Sequence, residues 1–387
     1  MGSVDAGAKL PWIETPLIAS AQLSRAAECN IFLKLENLQP SGSFKSRGVG
    51  NFTLRAAAAA AASPSPDVHF YCSSGGNAGL ACATSALALN RSATIVTPTT
   101  TSALMISKLK LLNAHVEQFG NNWAEADKHL RENLLAKDPN GVYVPPFDHP
   151  HVWDGAATMI DELVSQFPRD LDLHGLVCSV GGGGLLNGLF QGLEAFERDP
   201  SGSPPWPRGK PPSVVAVETC GAHSLHASIE AGEHVTLPGI TSIATSLGAV
   251  RVSDKTWEWA ERKAVLGPKR EAKRAAAAAA AAAAVSSCAG AAGLESVTVS
   301  DAEAALACVR FADDARFLVE TACGATIAVC YNGELRRTLG RGLTDAEWRE
   351  KNVVLVVCGG SGVSLEILEG YREKYGDMVQ AGIPAPS

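Results

Sequence analysis

Short apolar runs along the chain lead repeatedly into glycine-rich turns and then into segments with helical periodicity. The runs at residues 68–72, 176–180 and 353–357 each precede such a turn. Three further runs predict additional strands, at residues 93–97, 116–119 and 214–217. Continuous apolar strands that alternate with helices are typical of parallel sheets covered by helices on both faces. The pattern therefore predicts an α/β fold built from parallel layers.

Three glycine-rich turns follow predicted strands, at residues 73–79, 181–184 and 358–362. In parallel α/β sheets, ligands bind at the carboxyl ends of the strands. We therefore expect these three turns to meet at one ligand site.

Three other segments have a biased composition. The alanines of residues 56–62 lie in a helix-compatible stretch and predict a helix. The alanine run at 275–284, within about 270–293, is typical of a low-complexity insertion in a surface connection. Residues 199–212 are rich in proline, glycine and serine and predict a loop.

Composition narrows the class of protein. The 387 residues are 46% hydrophobic and 19% charged, which is ordinary for a globular protein of two or three domains. A net charge of −7 without a basic block argues against nucleic-acid binding, and no apolar run is long enough to span a membrane. The ten cysteines form no CxxC pair, and the first twelve residues lack the apolar core of a signal peptide. These features predict a reduced, cytoplasmic protein.

Lys45 is a candidate nucleophile. It stands in the segment SGSFKSRG (41–48), although an isolated lysine is usually a solvated surface side chain. Gly42, Ser43 and Gly48 permit a ligand to approach the backbone closely. A desolvated lysine has a lowered pKa and can form a Schiff base with an aldehyde.

Two of the glycine-rich turns are candidate anion sites. SSGGNAG (73–79) is either an ordinary strand-to-helix turn or a site whose N–H groups, hydroxyls and amide hold a carboxylate. The four glycines at 181–184 open a leucine-rich helix, a geometry that cradles a phosphate monoester. The dinucleotide fingerprint is not completed, because residues 186 and 187 are leucine and asparagine.

Taken in order, eight segments resemble the fold-type II enzymes that depend on pyridoxal phosphate (PLP), and most closely their serine dehydratase (serine/threonine ammonia-lyase) branch. The segments are SGSFKSRG (41–48), SSGGNAG (73–79), PPFDHPHVWDG (145–155), VGGGGLLNG (180–188), VETCGAHS (217–224), ITSIATSLG (240–248), VETACGA (319–325) and VCGGSGVSL (357–365). The resemblance implies two open, twisted, mostly parallel sheets, as in the β-subunit of tryptophan synthase. It also implies a small domain at 48–150 and a large PLP-binding domain at 1–47 and 151–387.

The resemblance implies a role for each matching residue. Lys45 would carry the Schiff base and act as the general base on the α-proton. The ring of PLP would pack against Phe44. The ring hydroxyl would contact Asn77, and the pyridine nitrogen would contact Cys358. Its phosphate would bind the backbone amides of Gly181, Gly182, Gly183, Gly184 and Leu185. The substrate carboxylate would bind Ser73, Ser74, Gly75 and Asn77. A monovalent cation, K⁺, would bind Gly181, Glu218, Ala222, Leu247 and Ala249.

The implied reaction is the β-elimination of water from L-serine. The released aminoacrylate hydrolyses to pyruvate and ammonia, and L-threonine would give 2-oxobutanoate. The resemblance further implies a homodimer that serves amino-acid catabolism and gluconeogenesis.

Several alternatives stay open. Within the PLP class they are a serine racemase, a dedicated threonine deaminase and a β-replacement synthase; outside it, a non-catalytic module that binds phosphate-bearing ligands. A chain of 387 residues leaves no room for a regulatory domain after the catalytic unit, which favours a catabolic dehydratase. Gly75 argues against a racemase, because racemases that resemble this family carry serine there, opposite the lysine face of the cofactor. Glycine supplies no second acid or base.

Overall fold

The computed structural model describes residues 10–62, 67–197, 210–264 and 292–379. The alanine run at 275–284 and most of the loop predicted at 199–212 lie outside these residues. Within them, the nine cysteines are free thiols and no helix is long and apolar enough to cross a membrane.

The described ranges contain ten strands and fourteen α-helices. The strands are β1 (Leu17–Ala19), β2 (Asn30–Lys34), β3 (His69–Cys72), β4 (Ser92–Thr97), β5 (His115–Gln118), β6 (Gly141–Tyr143), β7 (Gly175–Ser179), β8 (Ser213–Thr219), β9 (Leu294–Val299) and β10 (Asn352–Val356). The helices are α1 (Ala21–Ala27), α2 (Lys45–Ala61), α3 (Asn77–Ala88), α4 (Ala103–Leu111), α5 (Trp123–His129), α6 (Pro150–Gln166), α7 (Gly184–Glu197), α8 (Ser224–Ala231), α9 (Asp254–Lys263), α10 (Asp301–Ala315), α11 (Thr321–Tyr331), α12 (Glu334–Leu339), α13 (Asp345–Arg349) and α14 (Leu365–Val379). Short 3₁₀ turns lie at Glu36–Leu38, Leu135–Lys137 and Thr245–Leu247, and α5 continues into a π-helical turn at Leu130–Leu134.

The strands form two sheets, as predicted. The larger sheet has the order β1-β2-β10-β7-β8-β9 and is parallel except for β1, which pairs antiparallel with β2. The smaller sheet has the order β5-β4-β3-β6 and is wholly parallel. Its strands fall between residues 69 and 143, inside the span predicted for the small domain.

Buried apolar side chains explain why these segments form strands and helices. Every residue of β7 and β10 is buried, as expected for central strands with helices on both faces. Leu185, Leu189 and Leu193 of α7 all lie in the core of the larger sheet. Helix α11 is buried at every position, which places it inside the protein rather than on its surface.

This topology brings the predicted turns to one end of the sheets. β10 lies between β2 and β7, so the segments that follow these three strands are neighbours. They are the segment leading to Lys45, the loop that starts at Cys358 and the glycine loop at 181–184. The turn at 73–76 follows β3 in the same way in the smaller sheet.

Candidate active site

Lys45 is the first residue of α2 and lies between two aromatic rings. Its Nζ is 5.3 Å from the centroid of the Phe44 ring and 6.0 Å from that of Phe147. Nζ donates a hydrogen bond to the carbonyl oxygen of Pro146 at 2.6 Å. Burial lowers the pKa of this amine from its ordinary value of 10.5 to about 8. Lys45 therefore has the properties that an amine needs to act as a nucleophile and as a base near neutral pH.

The loop that leads to Lys45 is hydrogen-bonded to the loop that follows β10. Ser43 and Gly359 form an isolated antiparallel bridge, and the N–H of Phe44 donates to the carbonyl of Cys358 at 3.2 Å. Gly42 has a φ of +77°, a conformation that glycine adopts without strain. The structure thus places Phe44, Lys45 and Cys358 together, as the sequence predicts.

The glycine loop at 181–184 connects β7 to α7. Gly183 has a φ of +95°, and a Cβ there would collide with the side chain of Thr256. A Cβ on Gly182 would collide with the ring of Phe147. In the described part of the chain, the amides of Gly182 and Gly183 donate to no acceptor. The loop therefore offers unpaired N–H groups at a helix N-terminus, as a phosphate site requires.

Asn77 begins α3 and joins the smaller sheet to loops of the larger one. Its Nδ2 donates to Oε1 of Glu320 at 2.6 Å, and its Oδ1 accepts from the N–H of Ser361 at 3.0 Å. A side-chain amide has two N–H groups, so a second one can still be offered to a ring oxygen. The geometry fits the predicted contact with the cofactor.

The two serines of the 73–79 turn have different surroundings. Ser73 is buried, and its hydroxyl donates to Oδ1 of Asp127 at 2.5 Å. Ser74 is only half-buried, and its Oγ accepts from the N–H of Gly76 at 3.3 Å. Burial raises the pKa of Asp127, but the hydrogen bonds from Ser73, Tyr143 and Arg131 outweigh burial and lower it. Ser73 therefore anchors the turn, while Ser74 is better placed to contact a substrate.

Cys358 lies two residues after the end of β10 and is buried. Its Sγ is 3.3 Å from Oγ of Ser179, the last residue of the neighbouring strand β7. The thiol is thus held at the carboxyl ends of the two central strands, where the predicted contact with a cofactor ring requires it.

The predicted cation ligands follow β7 and β8. Glu218 is fully buried, and its two carboxylate oxygens accept from the N–H groups of Leu225 and His226 at 3.0 and 2.7 Å. Burial raises the pKa of Glu218 to about 8, against the effect of these two hydrogen bonds. Gly181 packs against Leu247, since a Cβ at 181 would lie 3.1 Å from the Cα of Leu247. Within the described ranges, no three His, Cys, Asp or Glu side chains are grouped as metal ligands.

The remaining two predicted cation ligands lie in turns. The N–H of Ala222 donates to the carbonyl of Thr219 at 2.9 Å, in the turn after β8. The N–H of Ala249 donates to the carbonyl of Leu247 at 2.7 Å, just after the 3₁₀ turn. Any ligand from these residues would be a backbone carbonyl oxygen.

Glu320 is a site residue that received no role from the sequence, although it lies in the segment VETACGA. It is buried, and besides Asn77 it accepts from the N–H of Gly362 at 3.2 Å. Burial raises the pKa of this carboxyl, against hydrogen bonds from Ser246, Gly362 and Asn77. Its position directly before a fully buried helix is the signal that could have drawn attention to it.

Lys108 of α4 is a second residue that the sequence did not indicate. Its Nζ donates to the carbonyl oxygen of Ser361 at 2.6 Å. Glu320 and Lys108 therefore both connect the smaller sheet's helices to the loop after β10.

These features fit PLP. The glycine loop provides amides for a phosphate, Lys45 provides an amine of lowered pKa for an aldehyde, and Phe44 and Asn77 both bond to the loop after β10. A family model described as "Pyridoxal-phosphate dependent enzyme" matches residues 9–296, and the chain belongs to this family.

Within that family the relatives are named as dehydratases. The chain is 38% identical to the human "Serine dehydratase-like" protein over 370 residues, which cover 95% of each chain. It is 35% identical to the "Catabolic L-serine/threonine dehydratase" of Saccharomyces cerevisiae, over 92% of this chain and 89% of the relative. A solved fungal L-serine ammonia-lyase from Rhizomucor miehei matches with a TM-score of 0.76 and 34% identity, covering 95% of this chain and all of that one. The predicted family and fold are confirmed.

Proposed function

We propose that this protein is an L-serine ammonia-lyase that also accepts L-threonine. It removes the α-proton and β-hydroxyl of L-serine as water, and the released aminoacrylate hydrolyses to pyruvate and ammonia. The observation that carries the proposal is Lys45, a half-buried amine with a pKa of about 8 that lies beside the rings of Phe44 and Phe147 and donates to the carbonyl of Pro146. The names of the relatives identify the amino acid.

The chain's own groups bind and orient the reactants. The amides of Gly181, Gly182, Gly183, Gly184 and Leu185 would hold the cofactor phosphate. Phe44 would pack on the cofactor ring, Asn77 would donate to its oxygen and Cys358 would face its nitrogen. Ser73, Ser74, Gly75 and Asn77 form the turn that holds the substrate carboxylate, with Ser73 acting through its bond to Asp127. When bound, PLP serves as the electron sink for the bond that breaks at Cα.

Lys45 is the residue that would accept the α-proton of the substrate. As the neutral amine it takes the α-proton as general base. The resulting ammonium of Lys45 would then donate a proton to the departing hydroxyl. The hydrogen bond of Nζ to the Pro146 carbonyl keeps the amine in place.

We further propose a K⁺ site, a homodimer and a cytoplasmic location. Glu218 and the carbonyls of Gly181, Ala222, Leu247 and Ala249 would form the cation shell, supported by the contact of Gly181 with Leu247. Nine free cysteines among the described residues favour a reducing compartment. The homodimer, the role in amino-acid catabolism and gluconeogenesis, and the domain boundaries at 47/48 and 150/151 rest on the family resemblance.

The test is steady-state ketoacid formation by the PLP-loaded enzyme from L-serine, L-threonine and D-serine, with and without K⁺. Pyruvate from L-serine and 2-oxobutanoate from L-threonine are expected, with little product from D-serine. Chiral analysis of the remaining serine separates the alternatives. D-serine that accumulates as fast as pyruvate would identify a racemase instead.

A further inference from the structure

Three buried polar side chains form a closed ring of hydrogen bonds beside the glycine loop. They are Asn187 of α7, Ser253, which is the N-cap of α9, and Thr256 of α9. Nδ2 of Asn187 donates to Oγ of Ser253 at 3.0 Å, and Oγ1 of Thr256 donates to Oδ1 of Asn187 at 2.8 Å. Oγ of Ser253 lies 2.9 Å from Oγ1 of Thr256. Because Thr256 gives its one hydroxyl proton to Asn187, Ser253 is the donor in this third bond.

The ring packs directly against the glycine loop. A Cβ at Gly183 would collide with Oγ1 of Thr256. The N–H of Ser253 donates to the carbonyl of Gly182 at 3.0 Å, and the N–H of Asn187 donates to the carbonyl of Gly183 at 2.8 Å. Two members of the ring therefore bind two successive carbonyl groups of the loop through their backbones.

These two bonds set the direction of the loop amides. In a trans peptide, the carbonyl of one residue and the N–H of the next point in opposite directions, and the described residues contain no cis peptide bond. With the Gly182 carbonyl directed at Ser253, the N–H of Gly183 points away from the N-terminus of α9. With the Gly183 carbonyl directed into α7, the N–H of Gly184 points out of the N-terminal end of that helix. A buried network whose members are all bonded is rigid, so it keeps these directions fixed.

We infer that Asn187, Ser253 and Thr256 are positioning residues for the cofactor phosphate, because their ring holds the amides of the glycine loop in the orientation that a phosphate requires. This inference rests on the proposed function, in which that loop binds the phosphate of PLP. Both hydroxyl protons are used within the ring, so the ring acts through the amides and not by donating to the phosphate itself. Breaking the ring should weaken phosphate binding selectively, since a loop that is not preorganised has to be ordered when the ligand binds.

The test compares two ligands that differ only in the phosphate. The affinities of the full-length apoenzyme for PLP and for pyridoxal are measured from the absorption of the lysine-linked ligand. Thr256→Val keeps the shape of the side chain and removes the hydroxyl from the ring. Its affinity for PLP should fall about tenfold or more, while its affinity for pyridoxal should stay within about twofold. Asn187→Ala should show the same selective loss, and Thr256→Ser, which retains the hydroxyl, should stay within about threefold of the unmodified protein for both ligands.

Thr338→Val is the matched control, and Tm is measured for every variant. Thr338 is a buried threonine of α12 whose hydroxyl donates to Glu334 of the same helix at 3.3 Å. Thr338→Val should leave both affinities within about twofold of the unmodified protein, even where Tm falls. Ser253→Ala breaks the ring at another residue and keeps the backbone N–H that binds Gly182. It should reproduce the selective loss of PLP affinity, and it replaces Thr256→Val in the comparison if that variant does not fold.

Three results would overturn the inference in a protein that prefers PLP to pyridoxal. They are equal losses of affinity for the two ligands, an unchanged affinity of Thr256→Val for PLP, and a loss in Thr256→Ser as large as that in Thr256→Val. An unmodified protein that binds pyridoxal as tightly as PLP would instead show that the loop holds no phosphate. That result overturns the phosphate site of the proposed function together with this inference, so the two failures are distinguishable.

Discussion

Lys45 shows how a single side chain acquires its chemistry from burial. Because burial lowers its pKa from 10.5 to about 8, the amine is mostly protonated below that pH and mostly neutral above it. Only the neutral amine can add to an aldehyde. We therefore expect the rate at which apoenzyme captures PLP, followed by its visible absorption, to rise as the pH increases through about 8.

Lys45→Ala is the control for this measurement. It should form no lysine-linked absorption band and no pyruvate, although PLP can still bind through the glycine loop. A capture rate that does not change from about pH 7 to about pH 9 would contradict the lowered pKa. Near-normal turnover by Lys45→Ala would remove this residue from the mechanism.

Cys358 provides a second prediction at the scale of one residue. Its Sγ lies 3.3 Å from Oγ of Ser179 at the ends of the two central strands, a position where an aspartate would place a carboxylate beside the ring nitrogen. Cys358→Asp should favour the protonated ring nitrogen, because an opposite charge next to a base raises its pKa. Elimination should slow and the absorption spectrum of the bound cofactor should shift.

Cys358→Ser is the matched control, since it keeps a small neutral group at the same place. Its spectrum should stay close to that of the unmodified enzyme. If Cys358→Asp has the spectrum and pyruvate rate of Cys358→Ser, the thiol is a core residue without influence on the ring.

At the scale of elements, α2 is held in place by a buried charge cluster. Arg47, two residues after Lys45, is fully buried and binds Glu36 at 2.7 Å and Glu162 at 2.6 Å. Lys34 of β2 also binds Glu162, at 2.5 Å. Burial raises the pKa of Glu162, but the hydrogen bonds and charges of Arg47 and Lys34 outweigh it and lower the pKa. The stabilisation from Glu162 is therefore present above its unfolded pKa and is lost as the pH falls through the lowered value.

Arg47→Met should lower the free energy of unfolding by roughly 3–5 kcal/mol, because it removes the charge that pairs with the fully buried Glu36 and leaves Glu162 with Lys34 alone. Arg55→Met is the control on the same helix. Arg55 pairs with Asp154 at 3.3 Å on a half-exposed surface, so the cost should be below about 1 kcal/mol. Urea unfolding at neutral pH measures the free energy of unfolding of both variants. Equal losses for the two variants would show that the buried cluster contributes no more than a surface pair.

The sequence pattern predicted six of the ten strands and missed β1, β2, β6 and β9. β2 lies inside the larger sheet, but it begins and ends with the polar residues Asn30 and Lys34, which leaves an apolar run of only three residues. All six predicted strands are present, with their ends displaced by at most two residues. β1 and β6 have only three residues each, too few to show a pattern. β9, an edge strand, mixes buried and half-buried residues and so lacks the continuous apolar run that indicated the central strands.

At the scale of the whole molecule, some residues of the candidate site could be predicted from their neighbours in the sequence and others could not. Lys45 and the glycine loop could be predicted because their small neighbours are adjacent in the sequence. Glu320 and Lys108 could not, because their partners are distant along the chain. Glu320 is 243 residues from Asn77, and Lys108 is 253 residues from Ser361. Only the assembled pair of sheets brings these groups together.

The contact of Lys108 joins the two sheets across the cleft, and it supports a last prediction. Lys108 of α4, the helix between β4 and β5, donates to the carbonyl of Ser361 in the loop after β10, while Asn77 accepts from the N–H of the same Ser361. Lys108→Met removes a charged donor, and such hydrogen bonds contribute about 1.5–3 kcal/mol. Because the substrate turn belongs to the smaller sheet's layer and Cys358 to the other, KM for L-serine should rise about tenfold or more. The absorption of bound PLP should stay the same, since Lys108 contacts the loop and not the ring.

Lys110→Met is the matched control for Lys108→Met, because Lys110 is an exposed lysine on the same helix. Its KM should stay within about twofold of the unmodified enzyme, as expected for a surface substitution. The comparison isolates the bond to Ser361 from the general loss of one positive charge on α4. Equal KM values for the two variants would mean that this contact does not hold the two layers together during binding. A rise in KM together with a lost cofactor band would instead place Lys108 among the groups that retain PLP.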